Sequence, residues 1–150
     1  MSFEIRVETA IDAPVEVVWE VLTGVEQWRE WSTWLRHDSG DVALGARLRL
    51  RLTPPGGGGY AFAPEVIVLE RPRHFAWVGR TGVRGVFDGE HHFELEPRGS
   101  GCVLRNWERY SGLLSPVMKR LPAMQEAPAG FAAMNEEIRA RAEAIGRARA

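Results

Sequence analysis

The chain has a single cysteine, Cys102, in 150 residues, which excludes an internal disulfide framework and a cysteine-cluster zinc site. Charge of one sign is lacking too: 19 Lys+Arg face 20 Asp+Glu, and without a basic surplus a phosphate-backbone binder is not expected. No apolar run approaches the roughly 20 residues that span a bilayer. The opening Met1-Ser2-Phe3-Glu4-Ile5-Arg6 alternates charge with apolar residues and has no signal-peptide core. No nucleophile elbow occurs. Gly56 to Gly59 are followed by neither Lys-Ser/Thr nor a helix start, so they are not a phosphate loop. A 45% apolar chain of this length is expected to be one domain, residues 1–150, with a core that needs no staples. The expectation is a cytoplasmic protein with no metal, cofactor, nucleic acid or membrane insertion, and a homodimer is left open.

Phe3, Ile5, Val7 and Thr9 alternate with Glu4, Arg6 and Glu8, the period of a half-buried strand. Asp12-Ala13-Pro14 turns into a helix whose stripe is Val15, Val18, Trp19 and Leu22, with Gly24 as its stop. Val25, Trp28 and Trp31 continue at helical spacing into a second short helix. Leu48, Leu50 and Leu52 alternate with Arg47, Arg49 and Arg51, so the leucines face inward and the arginines face water. Tyr60 to Glu70 and His74 to Arg80 read as two further strands. Ser115-Pro116 reads as a capping serine and first-turn proline. Met124, Phe131, Met134, Ile138, Ala142 and Ile145 trace one face of a long last helix, which Pro122 and Pro128 are expected to break or kink early.

Phe87 to Glu96 and Cys102 to Ser111 form a hairpin whose register follows from its turn. Gly99-Ser100, glycine first, fits a two-residue type II′ turn and pairs Arg98 with Gly101. Stepping outward, Glu94 falls opposite Arg105 and Glu90 opposite Arg109 on one face. On the other, Leu95 meets Leu104, Phe93 meets Asn106, and His91 meets Glu108. Such pairs contribute roughly 0.2–1 kcal/mol each, and a slip by one residue would oppose the wrong faces. A histidine, an asparagine and a glutamate therefore point the same way as core leucines.

Strand, two short helices, antiparallel strands and one long amphipathic helix together resemble the helix-grip fold of the START-related (SRPBCC) superfamily. Ile11-Asp12-Ala13-Pro14-Val15-Glu16-Val17-Val18-Trp19 looks like its opening, and Trp28-Arg29-Glu30-Trp31 like its second helix. The stretches 87–97, 108–114 and 130–135 are similar to its polyketide-cyclase and lipid-transport branch. The resemblance implies an α+β domain in which a curved antiparallel sheet of about seven strands wraps the C-terminal helix around a cavity. Cyclases, lipid carriers and stress or chaperone-linked proteins all occur in that branch.

His91 with Glu108 is the sharpest constellation. A facing carboxylate could fix the imidazole tautomer and ready it as a general acid or base; the plainer reading is a polar pair that satisfies itself. Asn106 and Tyr110 share that face. Trp28, Trp31, Trp34, Leu50, Phe62, Trp77, Phe93, Phe131 and Met134 supply an apolar surface that is either core or the wall of a pocket. His91 and Glu108 offer a metal only two ligands. Cys102 reads as a small core residue, and His37, His74 and His92 as surface residues. The reading carried forward is a binder of a hydrophobic or aromatic small molecule. The alternatives are a cyclase or dehydratase using His91 with Glu108, and a protein-interaction module.

Overall fold

The computed structural model describes all 150 residues. Strand β1 (Ser2–Ile11) is followed by helix α1 (Val15–Thr23), a 3-10 turn (Val25–Gln27) and helix α2 (Trp28–Trp31). Strands β2 (Leu35–Ser39), β3 (Arg49–Leu52), β4 (Tyr60–Phe62), β5 (Glu65–Glu70), β6 (His74–Arg80), β7 (Asp88–Arg98) and β8 (Gly101–Ser111) come next. The short helix α3 (Ser115–Met118) leads to α4 (Pro122–Arg149). Five strands pair in the order β1-β8-β7-β6-β5 and three in the order β2-β3-β4. Arg47 bridges to Glu65, and the Leu48 amide bonds the Pro64 carbonyl, so the small sheet continues the curve of the large one. This is the helix-grip fold, an α+β architecture closed by the long last helix.

The count is eight strands, one more than the sequence reading. Leu35–Ser39 has no alternation to announce it, because Leu35 is its one apolar residue and four polar residues follow. The run from Tyr60 to Glu70 splits at Pro64, whose ring cannot donate to a ladder. Helix α4 is not broken. Pro122 occupies its first turn, where no N–H is missed, and Pro128 lies on an exposed turn that tolerates the lost bond. Ser115 lies inside α3 rather than capping it; its hydroxyl donates to the Met1 carbonyl.

The core follows the predicted stripes. Helix α1 buries Val17, Val18, Trp19, Val21 and Leu22 between α4 and the large sheet. These join Leu48, Leu50, Phe75, Leu104, Ile138 and Ala142 in one cluster. Each such side chain contributes on the order of 1.5–3 kcal/mol when fully buried.

The β7–β8 register is the one derived from the turn: Glu94 opposes Arg105, Glu90 opposes Arg109, and His91 opposes Glu108. Gly99 has φ +60°, as the first central residue of a type II′ turn requires. The charges pair differently, however. Arg109 bonds Glu4, and Arg105 bonds Glu8 and Glu96, because β1 flanks β8 and offers carboxylates at the same level.

The outer face of this sheet holds a second correction. His92 is a buried residue, not a surface one, and stacks on Trp107 at 3.9 Å and 3°. Arg6 and Arg109 lie over the same indole. The His92 Nδ1 and His74 Nε2 atoms share a hydrogen bond of 2.8 Å, while Glu90 lies 3.6 Å from His92 Nε2 and Glu94 3.9 Å from His74. Burial first, and His74 second, hold His92 below the ordinary imidazole value, against the opposite pull of Glu90 and Glu94. A depressed histidine binds its proton more readily unfolded than folded. Its contribution to stability is therefore complete above about 6.5 and is lost as pH falls through the folded value. Thermal denaturation should show Tm declining below about pH 6.5. His92→Phe, which keeps a ring on Trp107 without titrating, should flatten that decline. An identical decline in the variant would assign the acid sensitivity to other groups.

Candidate functional site

The inner face of β7 and β8 presents His91, Phe93, Asn106, Glu108 and Tyr110 toward α4, as the register requires. Gly89 faces Tyr110 across the ladder, and a Cβ there would come within 2.7 Å of Glu108 Oε1. A bare backbone at position 89 is what gives the Glu108 carboxylate its room.

A chain of hydrogen bonds runs from β1 through α4 to His91. Asn135 Nδ2 donates to Thr9 Oγ1 at 3.1 Å and to the Val7 carbonyl at 3.5 Å. Asn106 Nδ2 donates to Asn135 Oδ1 at 2.9 Å and meets Met134 Sδ at 3.7 Å. Asn106 Oδ1 lies 2.6 Å from His91 Nε2. The Val7 carbonyl and the Met134 sulfur can only accept, so both amides must turn their NH2 groups that way. Asn106 Oδ1 is then an acceptor, and the hydrogen must reside on His91 Nε2. The tautomer is thus set by Asn106; Glu108, which the sequence offers as one candidate for that role, faces the other ring nitrogen. Asn106 and Asn135 are both 0% exposed, with their amides spent on this chain.

His91 Nδ1 faces the other way and lies 3.5 Å from Glu108 Oε2, an ion pair when the ring is protonated. The Tyr110 hydroxyl donates to the same oxygen at 2.6 Å. Burial first, then the Glu108 charge, pushes the Tyr110 hydroxyl well above its ordinary value, so it stays a donor. The Tyr60 hydroxyl on β4 is raised above its ordinary value by desolvation first and then by the Glu108 charge. Cys102 is buried in the core and its thiol is pushed up to about 11 by burial, which leaves it unreactive as a thiolate.

The His91 ring is clamped by aromatics. Phe93 stacks on it at 4.6 Å and Phe131 at 5.0 Å, with Trp77 at 5.1 Å. Trp28 packs on Trp77 deeper in the core. Leu50 pairs with Phe62 in the small sheet, where Leu50 is core and Phe62 half-buried. Trp31 and Trp34 are half-buried against the same core, and Met134 is buried beside Asn106. Trp34 lies across α4 so closely that a Cβ at Gly130 would come within 3.1 Å of its ring. Open depressions of about 410 and 400 Å³ lie elsewhere, beside the β7–β8 turn and on the β3–β4 loop, and neither is lined by His91 or Glu108.

Sequence reasoning missed Asn135 and Gly89. Asn135 was the findable one: it sits in the helical stripe with Phe131, Met134, Ile138 and Ala142, a polar residue on an otherwise apolar face.

Comparison with known proteins agrees with the fold. The model of the family described as "Polyketide cyclase / dehydrase and lipid transport" matches residues 2–145. No curated protein matches the chain. A solved protein from Mesorhizobium loti is 23% identical, with 93% of this chain and 96% of that one covered at a TM-score of 0.69. The norcoclaurine synthase of Thalictrum, solved as a point mutant with a transition-state analogue, is 15% identical over 95% and 94% at 0.69. The di-domain ARO/CYC StfQ of the steffimycin biosynthetic pathway is 13% identical over 99% of this chain and 52% of its own, at 0.71. At these identities the likeness is one of fold. With the family model spanning nearly its whole length, the chain belongs to the polyketide cyclase/dehydrase and lipid-transport family.

Proposed function

We propose that the protein binds a hydrophobic small molecule between the sheet and α4, oriented by a hydrogen-bond donor at its polar end. The observation that carries this reading is the directional chain ending at His91. It commits Nε2 as a donor to Asn106 and, in the neutral ring, leaves Nδ1 as a lone pair beside the Glu108 carboxylate. The nearby protein donor, the Tyr110 hydroxyl, is already given to Glu108. A ligand hydroxyl or amine arriving there meets two acceptors, whereas a carboxylate meets a like charge. The clamp of Phe93, Phe131 and Trp77 is filled by the His91 ring, so the apolar body of the ligand would lie against the half-buried Trp31, Trp34 and Phe62, with Asn106 positioning the ring rather than touching the ligand. Family membership supports the hydrophobic part of the reading.

The same Nδ1 atom is a Brønsted base, and this supports a second reading. In a cyclase or dehydratase, His91 Nδ1 would take a proton from an acidic C–H or O–H of a polyketone chain, with Glu108 stabilising the imidazolium.

Fluorescence titration should show saturable binding of 2-naphthol in the micromolar range, about 8 kcal/mol. 2-Naphthoate, similar in ring and shape but anionic, should bind at least about tenfold more weakly, the cost of about 1.4 kcal/mol. Equal affinity for the two, or no saturable binding of either, would contradict the donor rule. His91→Gln should cost about 1–2 kcal/mol of naphthol affinity, the scale of one buried hydrogen bond. Under the catalytic reading the same variant should instead lower turnover of a true substrate roughly 10²–10⁴-fold with binding retained.

Asn106→Leu should cost about 2–4 kcal/mol of unfolding free energy, because it strands buried donors and acceptors on both His91 and Asn135. Urea denaturation measures this. A loss below about 1 kcal/mol, the scale of a single ordinary hydrogen bond, would show that the chain does not tie α4 to the sheet.

A further inference from the structure

The segment between β8 and α4 turns one side inward and leaves the other bare. Inward, Met118 packs with Met124 against Phe87, Tyr110 and Phe131. Outward, Leu113, Val117 and Leu121 are 81%, 62% and 41% exposed, with Leu114 beside them. The Leu113 and Leu114 amides bond the carbonyls of Gly85 and Val86, which brings the 81–87 loop and its 70% exposed Val83 onto the same surface. Apolar residues exposed singly are ordinary; five on two joined segments form a patch, and such patches mark interaction surfaces.

The charges around this patch are of one sign. Arg84, Lys119 and Arg120 are all exposed, and no Asp or Glu occurs between Arg109 and Gln125. Asp88, the acidic side chain nearest the loop, is engaged by the Gly85 amide at 3.1 Å. None of the three cations has an ion-pair partner, so all are free to meet an anionic surface. A chain of net charge −1 thus presents one end that is both apolar and cationic.

We propose that this end is a docking surface for an anionic lipid bilayer. Leu113, Val117, Leu121 and Val83 enter the interfacial layer, while Arg84, Lys119 and Arg120 meet the headgroup phosphates. The contact is peripheral, since no helix is long and apolar enough to cross a membrane. A second copy is a poorer occupant: a two-fold pairing of the patch with itself would bring its unpaired cations against one another. The surface stands on its own observations and does not require that the interior hold a ligand. If it does, Met118 joins the docked segment to the cluster that holds Tyr110 and Phe131.

The test is co-sedimentation with vesicles of phosphatidylcholine, with and without phosphatidylglycerol. The full chain should bind the anionic vesicles, bind the neutral ones far less, and lose binding as salt is raised. Lys119→Gln with Arg120→Gln should weaken binding about thirtyfold, two basic side chains at their usual membrane-surface value. Leu113→Ser with Val117→Ser keeps the charge and should reduce binding at least tenfold. Arg47→Gln with Arg49→Gln, on the exposed stripe of the small sheet, should leave it unchanged. Circular dichroism confirms the fold of each variant, and 2-naphthol binding in solution should be the same for the serine variant and the parent. That separates a failed docking surface from a failed ligand site. Three outcomes overturn the proposal: no binding to anionic vesicles, binding that survives the serine substitutions, or a solution dimer that those substitutions split.

Discussion

The hydrogen bond between Asn135 and Asn106 joins the middle of α4 to the middle of the large sheet, and the geometry of the interior depends on it. Both residues are fully buried, so each amide must find partners inside the protein or pay the cost of an unsatisfied polar group. The partners form a line with a direction, because each amide also donates to an atom that can only accept: Asn135 to the Val7 carbonyl and Asn106 to the Met134 sulfur. Direction in the line becomes a tautomer at His91. Packing holds α4 against the sheet, but the line decides what chemistry the packed face presents.

Strands β7 and β8 carry two aromatic-imidazole arrangements, one on each face. Inside, His91 lies among Phe93, Phe131 and Trp77 with a carboxylate at its free nitrogen. Outside, His92 lies flat on Trp107 with His74 and Glu90 at its nitrogens. Adjacent residues on a strand face opposite ways, so His91 and His92 live in unrelated surroundings. The inner ring is held by neutral amides. The outer one is buried on Trp107 beside another titratable ring, and its response to acid follows from the burial first and from His74 second.

The hairpin was legible in the sequence because three independent signals agreed: a glycine-first turn, opposed charges, and matched leucines. What the charges did next was not legible, since Arg105 and Arg109 turn to Glu8 and Glu4 of a strand about a hundred residues away. The polar set His91, Asn106, Glu108 and Tyr110 was found by register alone. Its organisation was hidden because Asn135 comes from another element, and only the fold brings it to Asn106. His92 was misread because outer-face residues are exposed by default, and nothing local announces that Trp107 will cover one. Pro128 was overweighted: a proline costs a helix most where the lost bond is buried, and this one is exposed.

The most direct measurement is a long-range proton–nitrogen correlation spectrum of the His91 ring in uniformly nitrogen-15-labelled protein, followed across neutral pH. A backbone-anchored chain predicts that, wherever the ring is neutral, its proton sits on Nε2 and Nδ1 shows the shift of an unprotonated nitrogen. Substituting Asn106 by leucine should release that preference. A ring found protonated at Nδ1, and unmoved by the loss of Asn106, would mean that Glu108 sets the tautomer and that the account of the site given by the amide chain is wrong.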